Sequence, residues 1–292
     1  MGRDHGSMDW EITRALSGLA VVGRRQHPEL ARRLTVLCGR GELVTVLPGV
    51  YTLPPLAPDW ETRAVAACVW DPTAVIVEDA AAALSYWPDM IPDVVVVAGR
   101  RTTLRRPGFR FVKRVVPRDL ILDRAGIRLT MPALTALDQV PARGGEGIDR
   151  ALRSRQATLA GLHQAMLLTP ARRGNIDRRS MLLDSRDAPW SEAERLAHRI
   201  LRDAGITGWS TNVRLDCPSA TYFLDIAFDE NPLCIEIDGR EFHGAERFED
   251  DRRRGNDLLL AGRRALHFTW RMLTQEPSRV VTTTRRALAI SA

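Results

Sequence analysis

The chain has 292 residues and a formal net charge of +6 at pH 7, which suits two or three domains with cores of their own. It contains no apolar run near the ~20 residues of a membrane span, and its start does not resemble a signal peptide. Its four cysteines lie far apart without a CxxC pair, so the pattern indicates neither a zinc site nor a disulfide framework. We therefore expect a cytoplasmic protein that does not associate with membranes.

Residues 8–55 are predicted to form a small helical module closed by a β-hairpin. The spacing predicts helices over Trp10–Val22 and Pro28–Cys38, and strands over Leu43–Leu47 and Val50–Leu53. Helices followed by a short hairpin are typical of a winged helix, which places one helix in a DNA groove. Arg32, Arg33 and Arg40 are then the candidate nucleic-acid contacts. A generic helical cap with a hairpin fits the same pattern equally well.

Residues 56–187 are predicted to form an α+β domain that ends in a helical, basic linker. The expected elements are helices over Glu61–Trp70 and Glu78–Leu84, strands over Val94–Ala98 and Phe109–Val116, and helical structure from Gly145 to about Asp184. No set of residues in this region forms a catalytic constellation. The basic excess of the chain lies in residues 1–187 and favours nucleic-acid binding only weakly.

Residues 188–292 are predicted to form a compact α/β domain. The expected elements are helices over Ser191–Ala204, residues 246–261 and Pro277–Ala289, and strands over Thr211–Leu215, Phe223–Phe228, Leu233–Asp238 and Arg264–Trp270. The whole chain is therefore expected to be a multidomain α/β protein of the α+β kind.

Two of these strands carry carboxylates where a core strand normally carries none. If residues 229–232 form the loop of a hairpin, Phe228 pairs with Leu233 and the same register sets Asp225 opposite Glu236. Asp238 lies two residues further along the same face. Repulsion between these charges and the cost of burying them would both be offset by a divalent cation. The sequence thus predicts a Mg²⁺ or Mn²⁺ site formed by Asp225, Glu236 and Asp238.

Three further side chains are candidates for the same site, each with a simpler structural explanation. Glu194 stands three residues after Ser191, which is the spacing of a helix capping box, but it could also reach toward the hairpin. His243 follows a glycine at the strand end and is either a solvated loop residue or a proton-transfer group. Arg254 lies on a charged helix face and is directed at the sheet if Leu258 anchors that face in the core.

This order of elements resembles the PD-(D/E)XK nuclease superfamily, most closely the DUF559 group and the very-short-patch repair endonucleases. The residues that carry the resemblance are Ser191-x-x-Glu194, Asp225 in FLDIAF, Glu236-Ile237-Asp238 in CIEIDG, His243 and Asp251-x-x-Arg254 before the strand ALHFTW. The resemblance spans about residues 188–290. It implies a restriction-endonuclease-like mixed sheet flanked by helices, with a metal held by Asp225 and its neighbours for phosphodiester hydrolysis. Asp238 stands where the superfamily has lysine, and Gly255 stands where a polar residue is expected.

The segment GRGELVTVLPGVYTLP resembles the winged helix of AbiEi-type antitoxins, and VVVVAGRR, GFRFVKRVV and GIRLTMPALTALDQV resemble the domain that follows it in those proteins. This second resemblance spans about residues 30–140. It implies a DNA-binding regulator and a possible toxin partner.

Two hypotheses of different classes follow. In the first, the protein is a Mg²⁺-dependent deoxyribonuclease in which Asp225, Glu236 and Asp238 hold the metal, while Glu194, His243 and Arg254 assist the reaction. In the second, it is an antitoxin-like or transcriptional regulator whose nuclease fold is catalytically inactive. DNA is the expected partner in both, together with a toxin or a repair protein, and an RNA substrate is a weaker third alternative.

Overall fold

The computed structural model describes residues 10–99, 104–187, 189–238 and 245–290. The chain divides into two compact units, one comprising residues up to Ala142 with Gln164–Arg173, the other Arg143–His163 with the residues from Gly174 onward. Both mix helices and strands, as the predicted fold class requires. The division into three domains at residues 55 and 187 stays a prediction. Within the described ranges, no helix combines the length and apolarity that a membrane crossing requires.

The elements follow the predicted order closely. The helices are α1 Trp10–Leu19, α2 Ala31–Gly39, α3 Trp60–Trp70, α4 Glu78–Ser85, α5 Pro132–Arg143, α6 Glu146–Arg153, α7 Leu159–Leu168, α8 Asn175–Asp184, α9 Glu192–Asp203, α10 Ala245–Leu260, α11 Trp270–Gln275 and α12 Pro277–Ala289. The strands are β1 Val21–Gly23, β2 Val44–Leu47, β3 Val50–Thr52, β4 Val75–Val77, β5 Val95–Gly99, β6 Phe109–Lys113, β7 Ile121–Arg124, β8 Ile127–Thr130, β9 Trp209–Asp216, β10 Thr221–Phe228, β11 Leu233–Asp238 and β12 Arg264–Thr269. Short 3-10 turns occur at Pro28–Leu30, Pro54–Leu56 and Arg118–Leu120.

The N-terminal hairpin is confirmed within one residue at each end, but the first helix is shorter than predicted. Helix α1 stops at Leu19 because Ala20 adopts a left-handed conformation with φ of 59°. The valines that follow pair with β3 instead of extending the helix, which gives an antiparallel sheet of order β1-β3-β2. The Thr52 hydroxyl donates a hydrogen bond to the carbonyl of Ala20 at 2.5 Å and helps to hold this change of direction.

A five-stranded sheet of order β6-β5-β4-β8-β7 forms the rest of the first unit. The structure confirms the two predicted helices α3 and α4 and strand β5, and it ends β6 at Lys113, three residues before the predicted Val116. Strands β4, β7 and β8 and helix α5 were not predicted. Helix α3 packs on one face of this sheet through alanines and Trp70.

The second unit contains a mixed sheet of order β12-β11-β10-β9, in which only β11 and β12 run parallel. One face is covered by α9, α11 and α12, with a core that includes Ala197, Leu201, Ile226, Ile235, Phe268, Leu273 and Val280. Helix α10 covers the other face through Leu258, which packs on Leu224, Ala227 and Cys234. Helices α9, α10 and α12 agree with the prediction, whereas α11 was not predicted. The strand segments that carry Asp225, Glu236 and Asp238 lie between these two layers of helices.

Candidate active site

The hairpin between β10 and β11 has the register predicted from its turn. Ile226 lies opposite Ile235 and Ala227 opposite Cys234, and the four residues 229–232 connect the strands. Continuing the same register by one residue places Asp225 opposite Glu236 on the face of α10. One carboxylate oxygen of Asp225, Oδ2, accepts a hydrogen bond from the backbone N–H of Ile237 at 2.7 Å.

Asp225 lies at an irregularity in its strand. Leu224 and Ile226 are two residues apart and would share a face in a regular strand, yet they pack in different hydrophobic clusters. On the neighbouring strand β9, the residue between their pairing partners is Asn212, which has a left-handed φ of 52°. The side chains of β10 therefore switch faces of the sheet at this point. The local twist places the Asp225 carboxylate beside that of Glu236.

Of the two carboxylates, Glu236 has the more strongly shifted pKa. Its side chain is 7% exposed, and burial together with the charge of Asp225 raises its pKa to about 8. Burial also raises the pKa of Asp225. Arg254 forms an ion pair with Oε2 of Glu236, but burial outweighs its effect on the pKa of Glu236. The second oxygen, Oε1, is buried and has no hydrogen-bond partner among the described residues.

Arg254 points at the sheet, as predicted from the helical spacing to Leu258. Leu258 is 1% exposed and fixes helix α10 against the strands. The guanidinium of Arg254 donates to the carbonyl of Phe223 at 2.8 Å as well as to Glu236, and its Cζ atom lies 5.5 Å from the ring centroid of Tyr222. A fixed positive charge thus stands next to the carboxylates.

His267 on β12 was not identified from the sequence, although it belongs to the same surface. Strand β12 runs parallel to β11 and pairs His267 with Glu236. The Nδ1 atom of His267 lies 3.7 Å from Oδ1 of Asp238, and the interaction with Asp238 raises the pKa of His267. The sequence contains one signal for it: His267 stands between Leu266 and Phe268. These two residues pack on the face of the sheet opposite to the site.

Glu194 caps the start of helix α9, and its role at the metal site stays a prediction. It accepts hydrogen bonds from the N–H of Trp190 at 2.7 Å and the hydroxyl of Ser191 at 3.0 Å, and its own N–H donates to Ser191, as in a capping box. It is also close enough to the hairpin to sense it, because burial and then the charge of Asp225 raise the pKa of Glu194 to about 7. Glu194 therefore caps α9 beside the acidic pair.

The side chains of this site determine whether it could hold the predicted metal ion. Within the described part of the chain, no group of three or more His, Cys, Asp and Glu side chains is arranged to hold a metal ion. Asp225 and Glu236 nevertheless offer hard oxygen donors, and the buried Oε1 of Glu236 lacks a partner among the described residues. Their raised pKa values report repulsion and burial that a cation would relieve, so these two residues fit a divalent metal. His243 lies outside the described residues.

The candidate DNA contacts of the first unit lie on and just after helix α2. Arg32, Arg33 and Arg40 are exposed. Arg33 forms an ion pair with Glu11, and Arg40 lies 3.9 Å from Glu42. Their assignment as nucleic-acid contacts stays a prediction.

Comparison of the sequence with known proteins found no family model that matches it and no curated protein similar to it.

Proposed function

We propose that the C-terminal unit is a metal-dependent endonuclease that hydrolyses phosphodiester bonds in DNA. The observation that supports this most directly is the buried pair of Asp225 and Glu236 within the adjacent strands β10 and β11. Two carboxylates with raised pKa values and an oxygen without a described partner form an unfavourable arrangement in an isolated fold. Such arrangements concentrate at functional sites. The resemblance to the PD-(D/E)XK superfamily supports the same proposal.

Each residue of the site has a separate task. Asp225 and Glu236 would hold Mg²⁺ or Mn²⁺, which when bound supplies Lewis-acid stabilisation of charge on a phosphate. Arg254 places a second positive charge beside the same position and would stabilise the negative charge that develops during hydrolysis. His267, oriented by Asp238, would carry a proton to or from an oxygen of the phosphodiester. Glu194 keeps the start of α9 in place and would add its negative charge to the site.

The test is plasmid nicking by the full chain with Mg²⁺ or Mn²⁺, comparing Asp225→Asn with wild type. Asparagine keeps an acceptor for the N–H of Ile237, so the fold is retained while the charge is lost. Outer-shell partners of metals contribute about 10–100-fold to activity, so loss of a direct ligand should reduce cleavage by more than about 100-fold. The matched control is Asp216→Asn, an exposed carboxylate in the same sheet, which should cleave like wild type. Equal cleavage by wild type and Asp225→Asn would refute the assignment.

A second candidate is a DNA-binding regulator, in the manner of AbiEi-type antitoxins, whose nuclease fold does not cut. The specific observation in its favour is the ion pair between Arg254 and Glu236, which occupies one carboxylate oxygen of the site without a metal. Asp238 in place of the superfamily lysine points the same way. This candidate predicts duplex DNA binding with a steep salt dependence and no cleavage with any divalent metal. The nicking assay, repeated on RNA of the same sequence, separates the two candidates and the RNA alternative.

A further inference from the structure

A cavity of about 430 Å³ lies in the C-terminal unit beside the start of α9. Its lining is rich in arginine and includes Arg143, Arg150, Arg153, Arg195 and Arg199. Three carboxylates also line it, Glu146, Asp149 and Glu192, and Arg199 pairs with Asp184 outside the lining, so arginines outnumber acids among the lining residues. A positive concave surface attracts an anionic ligand.

The floor of the cavity is a buried ion pair between Arg195 and Asp149. Arg195 is 4% exposed and is held by the hydroxyl of Ser185 at 2.5 Å and the carbonyl of Gly145 at 3.4 Å. Its Nε donor is buried and has no hydrogen-bond partner among the described residues. Burial raises the pKa of Asp149 in spite of its ion pair with Arg195. The fixed guanidinium of Arg195 favours an anionic group in the cavity through its positive charge.

The mouth of the cavity carries arginines that are accessible from solvent. Arg150 is 41% exposed and pairs with Glu146 one turn earlier on α6 at 3.1 Å. Arg153, in the last turn of the same helix, is exposed as well. Arg150 and Arg153 are therefore two lining arginines within reach of solvent, and the buried Arg195 adds a fixed positive charge behind them.

The cavity shares a wall with the candidate active site. Trp190 lines it and packs against Phe223 with ring centroids 5.5 Å apart, two residues before Asp225 on β10. Ser191 also lines it and donates to the Glu194 carboxylate. A second tryptophan, Trp270, completes an aromatic part of the lining. Both tryptophans are half-buried, and the part of each ring that lines the cavity could stack a nucleobase without regard to sequence.

We propose that this cavity binds one nucleotide unit of the substrate strand, with the phosphate against the arginines and the base against the tryptophans. The inference rests on the proposed function and specifies its substrate as a strand that can offer an unpaired nucleotide beside the scissile bond. The size supports a nucleotide over a bare phosphate, because cavities of about 300–1,000 Å³ take ligands of that kind. The wall formed by Trp190 and Ser191 adjoins Phe223 and Glu194, so the rest of the strand would run toward Asp225.

The test measures binding of a fluorescently labelled single-stranded DNA to the full chain by anisotropy, in EDTA so that no cleavage occurs. The double variant Arg150→Ala, Arg153→Ala is compared with Arg279→Ala, Arg286→Ala, which removes the same charge from another helix of the same unit. The control is matched because Arg279, like Arg150, pairs with a glutamate on its own helix, and Arg286, like Arg153, is exposed. We expect the cavity variant to bind about 10-fold or more weakly, with a salt slope less steep by about 0.7 for one lost phosphate contact. The control should bind within about twofold of wild type.

Competition identifies the ligand. Deoxyadenosine monophosphate should displace the oligonucleotide from wild type at lower concentration than inorganic phosphate does, since only the nucleotide offers a base. Equal competition by the two, or equal weakening in the cavity and control variants, overturns the proposal. If the mononucleotide binds in a manner that depends on Arg150 and Arg153 while the oligonucleotide does not bind, the ligand is a free nucleotide and the strand subsite is overturned.

The outcome is independent of the nuclease assay. Unchanged DNA binding by the cavity variant, with cleavage still lost in Asp225→Asn, removes the subsite and leaves the nuclease. Unchanged cleavage by Asp225→Asn removes the nuclease whatever the binding result.

Discussion

The substitution Glu236→Gln should make the metal-free protein more stable above neutral pH. Glu236 is buried, and its pKa in the folded protein is about 8 against an ordinary value of 4.5. Between these two values the folded state keeps a proton that the unfolded state has released, so wild-type stability falls as pH rises through that window and levels off above about pH 8. Glutamine is neutral throughout and keeps an oxygen that can accept a hydrogen bond from Arg254.

The size of the effect follows from the same shift. At about 1.4 kcal/mol per pH unit, wild type should lose roughly 3 kcal/mol relative to Glu236→Gln between pH 5 and pH 7.5. The loss of one negative charge beside Asp225 acts in the same direction, because it relieves repulsion on a second carboxylate whose pKa is raised. The two proteins should therefore be nearly equal in stability at pH 5 and diverge steadily above it.

The assay is urea unfolding in EDTA, followed by circular dichroism at several pH values between 5 and 8.5. Parallel pH profiles for wild type and Glu236→Gln would refute the reasoning, since they would mean that Glu236 titrates normally. Adding Mg²⁺ or Mn²⁺ provides a second check. The cation should stabilise wild type more at pH 8 than at pH 6, because Glu236 must lose its proton to bind it, and should stabilise the variant little.

Two further predictions concern other parts of the unit. A methyl group on Gly145 would lie 2.6 Å from Nε of the buried Arg195, so Gly145→Ala should destabilise the protein by about 1–3 kcal/mol in urea unfolding. The control Gly255→Ala has open space around it and should be neutral or stabilising by up to about 1 kcal/mol; equal effects at the two glycines would contradict this account. The NMR titration midpoint of His267 should lie above its ordinary value of 6.5 and return toward it in Asp238→Asn. A midpoint that does not move would show that the two side chains do not interact.

Adjacent residues suffice to predict the hairpin of β10 and β11. Features that depend on pairing with a distant strand do not follow from the local sequence. The register that pairs Ile226 with Ile235 and Ala227 with Cys234 follows from a four-residue turn, so it could be derived from adjacent residues alone. Val21 and Val22 continue the apolar spacing of the first helix, and only their pairing with β3 makes them a strand. His267 shows the same limit at the site, because its neighbour Glu236 is reached through a parallel pairing that no local turn specifies. The arginine-lined cavity is formed by residues of both α6 and α9, and the sequence pattern predicts that these helices belong to different domains.

The positions of Asp238 and His267 bear on the difference between an active and an inactive site. The superfamily resemblance calls for a cationic side chain on β11, and this chain has an acid there. The adjacent strand β12 provides His267 within 3.7 Å of that acid, so a proton-carrying group stands one strand away from the expected position. Arg254 adds a permanent charge from α10 on the same face. The site thus combines two carboxylates, a fixed cation and a titratable group from different elements, and these are the groups on which the proposed hydrolysis depends.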